Sequence, residues 1–216
     1  MEGDLSMLML PDDFQPELLP TGETDAPNWW FAFAGADLLV RPTGERAELP
    51  VASIWPFAKL PTARRLYLGT LRGRPCHAAE VEPTAPPPPG MKFESLRGLW
   101  TRLDEALLGV ASHALQLIEW DRTHQYCGRC GTPTQRKAEE RARHCPACGL
   151  TAFPRLSPVI MVRVVRDGRI LLARAPRFAP GVYSVLAGFV EAGETLEQAI
   201  NREIAEEVNI RVRNLR

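Results

Sequence analysis

The sequence predicts an α+β protein built from successive sections, and three observations support this prediction. The first 90 residues contain short apolar runs separated by prolines and glycines, a pattern typical of strands. Two Cys-x-x-Cys pairs follow, and an acidic segment with a helical repeat lies near the carboxyl end. With 216 residues, 45% of them hydrophobic, the chain is long enough to bury more than one core.

The first section, residues 1–90, is predicted to be a β-rich domain. Its clearest strand-like runs are Trp29 to Phe33, Asp37 to Val40 and Arg65 to Gly69. Four consecutive prolines precede Gly90 and break regular structure. We therefore expect a semi-rigid linker and a domain boundary at this point.

Residues 91–124 are predicted to form a connecting helix. Apolar residues recur at steps of three and four between Glu94 and about Arg122, and no proline interrupts them. The residues of this repeat are Leu96, Leu99, Leu103, Leu107, Ala111, Leu115 and Ile118. The helix would lead the chain into the cysteine-containing segment.

The charge of the chain is balanced, with 26 Lys plus Arg and 26 Asp plus Glu. This balance disfavours a bulk nucleic-acid binder, and a polyanion would have to be held locally by a metal or a few side chains. Acids stand near the amino terminus, at Glu2, Asp4, Asp12 and Asp13, where a secretion signal needs basic residues. No apolar run approaches the length that spans a bilayer. We expect a soluble, cytoplasmic protein without a membrane partner.

Four of the five cysteines form two knuckles in the third section, residues 125–153. Cys127 and Cys130 make the first knuckle, Cys145 and Cys148 the second, and 14 residues separate the two, as in a zinc ribbon. Two disulfides or a redox-active pair are the alternatives. A reducing compartment argues against the disulfides, and the doubled motif argues against the redox pair. We expect one zinc ion per chain, with a structural role because four thiolates leave no open position.

The fourth section, residues 154–216, is predicted to contain strands followed by a helix. Pro158 to Val165 and Arg169 to Arg174 flank an Asp-Gly turn, and a further strand is expected from Val182 to Ala187. Thr195 and Gln198 have the spacing of a capping box, which places the helix start at Thr195. The expected buried stripe of this helix is Leu196, Ile200, Ile204 and Val208.

Three glutamates lie on one side of this helix. Glu203, Glu206 and Glu207 follow the i, i+3, i+4 spacing, which places like charges side by side, and only Arg202 offers local relief. A solvated acidic helix face is the alternative reading. Hard divalent ions prefer carboxylate oxygens, so the cluster predicts a site for Mg²⁺ or Mn²⁺.

The same stretch resembles the Nudix box, whose pattern is G, five residues, E, seven residues, then R-E-U-x-E-E-x-G-U with U aliphatic. The matching residues are Gly188, Glu194, Arg202, Glu203, Ile204, Glu206, Glu207 and Ile210. Asn209 replaces the last glycine, but asparagine also adopts the left-handed conformation that ends helices. The resemblance implies an α/β/α sandwich and metal-dependent cleavage of a nucleoside diphosphate.

The resemblance also implies roles for individual residues. Glu203 and Glu207 would bind the metal with the backbone carbonyl of Ala187, and Arg202 would orient the carboxylates. Glu206 lies beside them, and either Glu206 or Glu207 would accept the proton of the attacking water.

The order of β-rich region, four-cysteine ribbon and Nudix box is similar to that of the NADH pyrophosphatase family. This family uses Mg²⁺ or Mn²⁺ to cleave NADH or NAD⁺ into NMN(H) and AMP, some members remove NAD caps from RNA, and homodimers are usual. Glu140 and Phe153 match places that contact the nucleotide in the family. The alternatives for these two residues are an exposed loop acid and a packing aromatic.

The chain departs from the family at its end. The family's downstream signature, Ser-Gln-Pro-Trp-Pro-Phe-Pro, and a further metal-binding Glu follow the box, whereas this sequence stops at Arg216. We therefore expect a truncated Nudix domain. Two alternatives stay open: a Nudix hydrolase of ADP-ribose or dinucleoside polyphosphates, and a catalytically inactive zinc-ribbon module that binds nucleic acid or protein.

Overall fold

The computed structural model describes residues 9–20 and 26–216 and divides the chain after Pro154 into two compact units. Glu2 and Asp4 lie outside the described residues, as does part of the section predicted as 1–90. The architecture is α+β. Within the described ranges, neither helix combines the length and the apolar composition that crossing a membrane requires.

The first unit is centred on an eight-stranded sheet. Its strands are β1 (Phe14–Pro16), β2 (Asn28–Ala34), β3 (Asp37–Thr43), β4 (Arg46–Glu48), β5 (Val51–Ala52), β6 (Thr62–Leu71), β7 (Arg74–Val81) and β8 (Lys92–Ser95). The main order is β1-β6-β7-β2-β3-β4, with β5 beside β2 and β8 beside β3. The β2–β7 pair is parallel, and the other pairs are antiparallel.

The two faces of this sheet are both covered, because β2 alternates its side chains between two apolar clusters. Phe31 and Phe33 are fully buried in a cluster that includes the apolar face of helix α1 (Glu105–Thr123). Ala32 belongs to the cluster on the opposite face. The helix begins where Asp104 accepts a hydrogen bond from the Leu107 amide, which is a normal N-cap.

The predicted connecting helix was placed too early. Residues 92–95 form β8 and pair with β3, so the helix begins at Glu105 and not near Glu94. Leu99 and Leu103 are buried, but they lie in a turn segment before the helix. Both side chains are buried in the core on which α1 packs, so their spacing of four residues resembles a helical repeat although the backbone is not helical.

The proline-rich segment does not separate two domains. It lies between β7 and β8, and both strands belong to the same sheet. The prolines therefore shape a loop inside the first unit, because proline blocks strand pairing without ending the domain.

The ribbon completes the first unit. It contains a three-stranded sheet in the order β11 (Thr151–Ala152), β10 (Arg143–His144) and β9 (Gln135–Arg136). The ribbon is joined to the rest of the unit by Arg141, which donates to the Tyr67 and Glu17 carbonyls at 3.2 and 2.9 Å, and by a buried carboxylate. Asp121 of α1 is 1% exposed and accepts hydrogen bonds from Arg64 of β6 at 3.1 Å, Arg136 at 2.8 Å and Arg143 at 2.7 Å.

The second unit places a helix on a small antiparallel sheet. Its elements are β12 (Val159–Val162), β13 (Val165–Arg166), β14 (Arg169–Ile170), β15 (Leu186–Phe189) and α2 (Leu196–Val208). Strands β12 and β15 pair, with Met161 opposite Ala187, and β13 and β14 form a hairpin. The last predicted strand, 182–187, is thus shifted, since β15 begins at Leu186.

The core of the second unit lies between β12, β15 and α2. Its buried residues are Ile160, Val162, Leu186, Ala199 and Ile204. Ile200 and Val208 pack against it as predicted, whereas Leu196 is 57% exposed. Leu196 is the first residue of the helix and lies before its first buried position, Ala199, so the predicted buried stripe begins one turn too early.

Candidate active site and metal centre

The four cysteines of the ribbon lie together. All four Sγ atoms are within 4.8 Å of one another. Sγ of Cys127 is 3.5 Å from that of Cys148, and Sγ of Cys130 is 3.4 Å from that of Cys145. These separations exceed the ~2.05 Å of a disulfide bond, so the two-disulfide alternative does not describe this structure. A tetrahedral four-thiolate metal site fits the donor set.

The two knuckles have the same backbone conformation. Gly131 and Gly149, one residue after each knuckle, both have φ of 74°. Their amides donate to the carbonyls of Cys127 and Cys145 at 2.9 and 3.0 Å. Glycine adopts this left-handed conformation at no steric cost, so each knuckle can turn back tightly behind its second cysteine.

Both ends of α2 are set by the sequence. Oγ1 of Thr195 accepts from the Gln198 amide at 3.3 Å, and Oε1 of Gln198 accepts from the Thr195 amide at 2.8 Å. This is the predicted capping box. At the other end, Asn209 has φ of 52° and donates its amide to the Ala205 carbonyl at 3.0 Å. The left-handed turn therefore forms without glycine.

Arg202 organises the acidic side chains of the second unit. Its Nε and Nη2 donate to the two carboxylate oxygens of Glu194 at 2.7 and 2.8 Å. Nη2 also donates to the Phe189 carbonyl at 2.9 Å, and Nη1 donates to Glu203 at 2.8 Å and Glu206 at 3.2 Å. The guanidinium thus fixes the acidic loop, β15 and the helix to one another.

The pairing with Arg202 changes the acidity of Glu194. The hydrogen bonds from Arg202 and then from the Glu191 amide lower the pKa of Glu194 to about 2. Glu194 therefore stays ionised at neutral pH and is a poor proton acceptor. Its role is to hold Arg202 in place.

Glu203 lies against the backbone of β15. A Cβ atom added to Gly188 would stand 1.9 Å from Cδ of Glu203 and 2.3 Å from each of its carboxylate oxygens. Only glycine leaves this space for the carboxylate. Ala187 immediately precedes Gly188. Its backbone carbonyl, which the family resemblance implies is a metal ligand, therefore lies in the stretch of β15 that Glu203 contacts.

The other two glutamates are more open to solvent. Glu206 is 61% exposed and has Arg202 as a partner, while Glu207 has neither an ion pair nor a hydrogen bond among the described residues. Among the described residues, the carboxylates of Glu203, Glu206 and Glu207 do not form a compact cluster of ligand atoms like that of the four cysteines. Such carboxylates fit a Mg²⁺ ion, for which water and substrate phosphates would supply the remaining ligands.

The two predicted nucleotide contacts lie in the first unit. Glu140 forms an ion pair with Lys137 in the ribbon loop. Phe153 follows β11 and is 53% exposed, so its ring is not a packed core residue. The structure thus shows Glu140 in a local ion pair and Phe153 with a free face.

Sequence reasoning gave no role to two residues that the structure makes central. Glu194 fits the box pattern, but it precedes the helix and lies outside the i, i+3 and i, i+4 spacings that indicate a pair with Arg202. Asp121 matches no motif of the chain. Its only signal is an acid on the predicted helix, near a ribbon rich in arginine, and such signals are common on solvated helices.

Three family models match the chain consecutively. Residues 27–120 match the NADH pyrophosphatase-like rudimentary NUDIX domain. Residues 122–153 match the NADH pyrophosphatase zinc ribbon domain, and residues 154–216 match the NUDIX domain.

Curated relatives share this organisation. The chain is 38% identical over 207 residues to the NAD-capped RNA hydrolase NudC of Chromobacterium violaceum, covering 96% of this chain and 72% of the relative. It is 44% identical over 152 residues to the protein of that name from Stutzerimonas stutzeri, covering 70% and 55%. The corresponding values for Deinococcus radiodurans are 44%, 154 residues, 69% and 54%. The matched region thus spans about half the length of the latter two relatives.

Proposed function

The chain belongs to the Nudix family of NADH pyrophosphatases and NAD-capped RNA hydrolases, and we propose that it hydrolyses the pyrophosphate bond of NADH or NAD⁺ to NMN(H) and AMP. In an NAD cap the same bond joins the nicotinamide mononucleotide to the adenosine at the 5′ end of the RNA, so cap removal belongs to the same proposal. One observation carries it: Arg202 braces Glu194, Glu203 and Glu206, and the Glu203 carboxylate lies against Gly188, where a Cβ atom would displace it.

Glu203, Glu207 and the backbone carbonyl of Ala187 are the proposed ligands of Mg²⁺ or Mn²⁺. Glu203 is fixed by Arg202 and by the space at Gly188, and Glu207 has no competing cation among the described residues. A bound divalent ion neutralises pyrophosphate charge and lowers the pKa of a water molecule, which makes attack on phosphorus feasible.

The remaining groups supply proton transfer and orientation. Either Glu206 or Glu207 accepts the proton of the attacking water, because both carboxylates reach solvent. Arg202 holds Glu203 and Glu206 in position from one guanidinium. A guanidinium has five N–H donors, and Arg202 uses them in five hydrogen bonds within the protein. No donor is left for the substrate, so Arg202 acts as a positioning residue.

The first unit has a supporting part in this proposal. Cys127, Cys130, Cys145 and Cys148 hold one structural zinc ion, for which their clustered sulfur atoms are the support. The exposed ring of Phe153 is suited to stack on a base, and Glu140 is a candidate for a polar contact to the nucleotide. We also propose that the protein is cytoplasmic, since a reducing compartment keeps the thiols available for zinc. The resemblance to the NADH pyrophosphatase family implies a homodimer.

The test replaces Glu207 by glutamine and measures two properties. With NADH and Mg²⁺ or Mn²⁺, the unaltered chain should release AMP, and chelation by EDTA should stop the release. Glu207→Gln should lower AMP release at least about 100-fold, since a charged metal ligand is lost. It should also weaken Mn²⁺ binding measured by electron paramagnetic resonance.

Glu197→Gln is the matched control, because Glu197 lies on the same helix but outside the Arg202 cluster. It should retain both Mn²⁺ binding and AMP release. Hydrolysis by Glu207→Gln at the unaltered rate would overturn the assignment. Metal-dependent cleavage of ADP-ribose or a dinucleoside polyphosphate in preference to NADH would replace the proposed substrate.

A further inference from the structure

The hairpin formed by β13 and β14 has an unusual concentration of positive charge. Between residues 163 and 174 the chain has one acid, Asp167, and four exposed arginines. These arginines, named here the hairpin arginines, are Arg163, Arg166, Arg169 and Arg174. Residues 155–216 contain neither lysine nor histidine, so every cationic side chain in this unit is an arginine.

The hairpin arginines are poorly compensated. Arg166 and Arg169 are direct register partners across the turn, and like charges in opposite positions destabilise a strand pair. Asp167 is 3.6 Å from Arg166, but both side chains are about nine-tenths exposed, which makes the pair weak. Among the described residues, Arg163, Arg169 and Arg174 have no ion pair. Bound anions would relieve this repulsion.

Charge is also segregated within the second unit. Residues 155–216 contain ten arginines and seven acids, and six of those acids lie between Glu191 and Glu207. The hairpin precedes all six. The acidic segment is suited to cations and the hairpin to anions, although the chain as a whole has a formal net charge of zero.

The hairpin follows β12, the strand that pairs with β15 just before the acidic segment. Met161 of β12 pairs with Ala187 of β15. Arg163 lies two residues after Met161, and Arg166 lies five residues after it. Since an extended chain spans at most ~3.6 Å per residue, Arg163 and Arg166 lie no more than about 7 and 18 Å from Met161. A strand of linked phosphate groups is long enough to extend from one place to the other.

We infer that the hairpin arginines form a binding surface for the phosphate backbone of RNA attached to the nucleotide that the acidic site cleaves. This inference rests on the proposed function, which places a pyrophosphate at the acidic segment. Guanidinium groups bind phosphate in a bidentate manner and keep their charge at all physiological pH values. The surface would contribute to affinity without reading a base sequence, because backbone contacts carry no sequence information.

The test measures binding of a labelled single-stranded RNA of about 15 nucleotides with a 5′-monophosphate. The variant Arg166→Gln/Arg169→Gln should raise the dissociation constant about tenfold at low salt, and the slope of log K against log salt should become shallower by about 1.4, or about 0.7 per phosphate contact. The control, Arg211→Gln/Arg213→Gln, removes the same charge from exposed positions of the same unit. It should bind RNA like the unaltered chain.

NADH hydrolysis separates this inference from the proposed function. The hairpin variant should release AMP from NADH at the unaltered rate, because NADH has no RNA to contact the hairpin. Loss of RNA affinity with retained NADH hydrolysis supports the surface. If neither the unaltered chain nor the hairpin variant hydrolyses NADH, but the hairpin variant binds RNA more weakly, the proposed function fails and the RNA-binding surface stands.

Three results would overturn the inference. The hairpin variant could bind RNA as tightly as the unaltered chain, or both double variants could lose affinity equally, which would show a nonspecific effect of net charge. The third is binding to vesicles of anionic phospholipid without binding to RNA, which would assign the surface to a membrane.

Discussion

At the residue scale, Arg202 shows why the arginine of the acidic helix cannot be exchanged for another cation. It makes five hydrogen bonds to Glu194, Glu203, Glu206 and the Phe189 carbonyl, with distances of 2.7 to 3.2 Å. A lysine ammonium is a compact point charge without the planar fork that holds both oxygens of Glu194. The arrangement of the carboxylates is therefore built around this one guanidinium.

The space at Gly188 gives a prediction at the same scale. Gly188→Ala would place a methyl group 1.9 Å from Cδ of Glu203 and push the carboxylate away. Because Glu203 is a half-buried side chain that can rotate toward solvent, the melting temperature should change little. Mn²⁺ affinity, measured by electron paramagnetic resonance, should fall about tenfold or more for the loss of one charged ligand.

A double-mutant cycle checks that Glu203 is the group displaced. Glu203→Ala alone should lower Mn²⁺ affinity, and adding Gly188→Ala should lower it no further, because the two changes remove the same ligand. Independent, additive losses would contradict the proposed contact.

At the scale of the element, helix α2 could be predicted from the sequence and α1 could not be delimited. Thr195, Gln198 and Asn209 are local signals that act within one turn, so the sequence alone places both ends of α2. The start of α1 depends on β8 pairing with β3, which is a contact between distant residues. Periodicity cannot distinguish a helix from a turn segment that packs on the same core.

Asn209 provides the prediction for this helix. Asn209→Ala should lower the free energy of unfolding of the second unit by about 1 kcal/mol, since alanine tolerates a φ of 52° poorly. Asn209→Gly should leave it within a few tenths of a kcal/mol, or raise it slightly. Urea unfolding followed by circular dichroism measures both, and equal stability of the alanine and glycine variants would contradict the left-handed cap.

At the scale of the molecule, Asp121 joins parts of the first unit that are far apart in sequence. It binds Arg64 of the large sheet and Arg136 and Arg143 of the ribbon from a position on α1. Asp121→Asn should destabilise this unit by about 3 kcal/mol, because the buried guanidinium of Arg143 would lose its counter-charge. Thermal unfolding measures the loss. Glu119→Gln, an exposed neighbour on the same helix, should cost far less.

The pH dependence follows from the same carboxylate. Burial alone would raise the pKa of Asp121, but the hydrogen bonds and charges of Arg136 and Arg143 outweigh it and lower the pKa below its usual range. Its contribution to stability is therefore complete above the unfolded pKa and is lost as the pH falls through the lower folded value. The unaltered chain should lose stability in acid below about pH 4, and Asp121→Asn should lose less over the same range.

The sequence predicted the site in the second unit and the four-cysteine ribbon because both are encoded by short spacings. Thr195 and Gln198 of the capping box lie three residues apart, as do the two cysteines of each knuckle. The sheet order, the role of the proline-rich loop and the contact of Asp121 with the large sheet depend on residues far apart in sequence, such as Arg64 and Asp121, which are 57 positions apart. No local signal in the sequence specifies such pairings.

The absence of lysine from the second unit has a consequence for regulation. The three lysines of the chain, Lys59, Lys92 and Lys137, all belong to the first unit. Acetylation, which neutralises lysine side chains, cannot reduce the positive charge of the hairpin. Amine-reactive labels that target lysine will likewise leave the side chains of the hairpin unmodified.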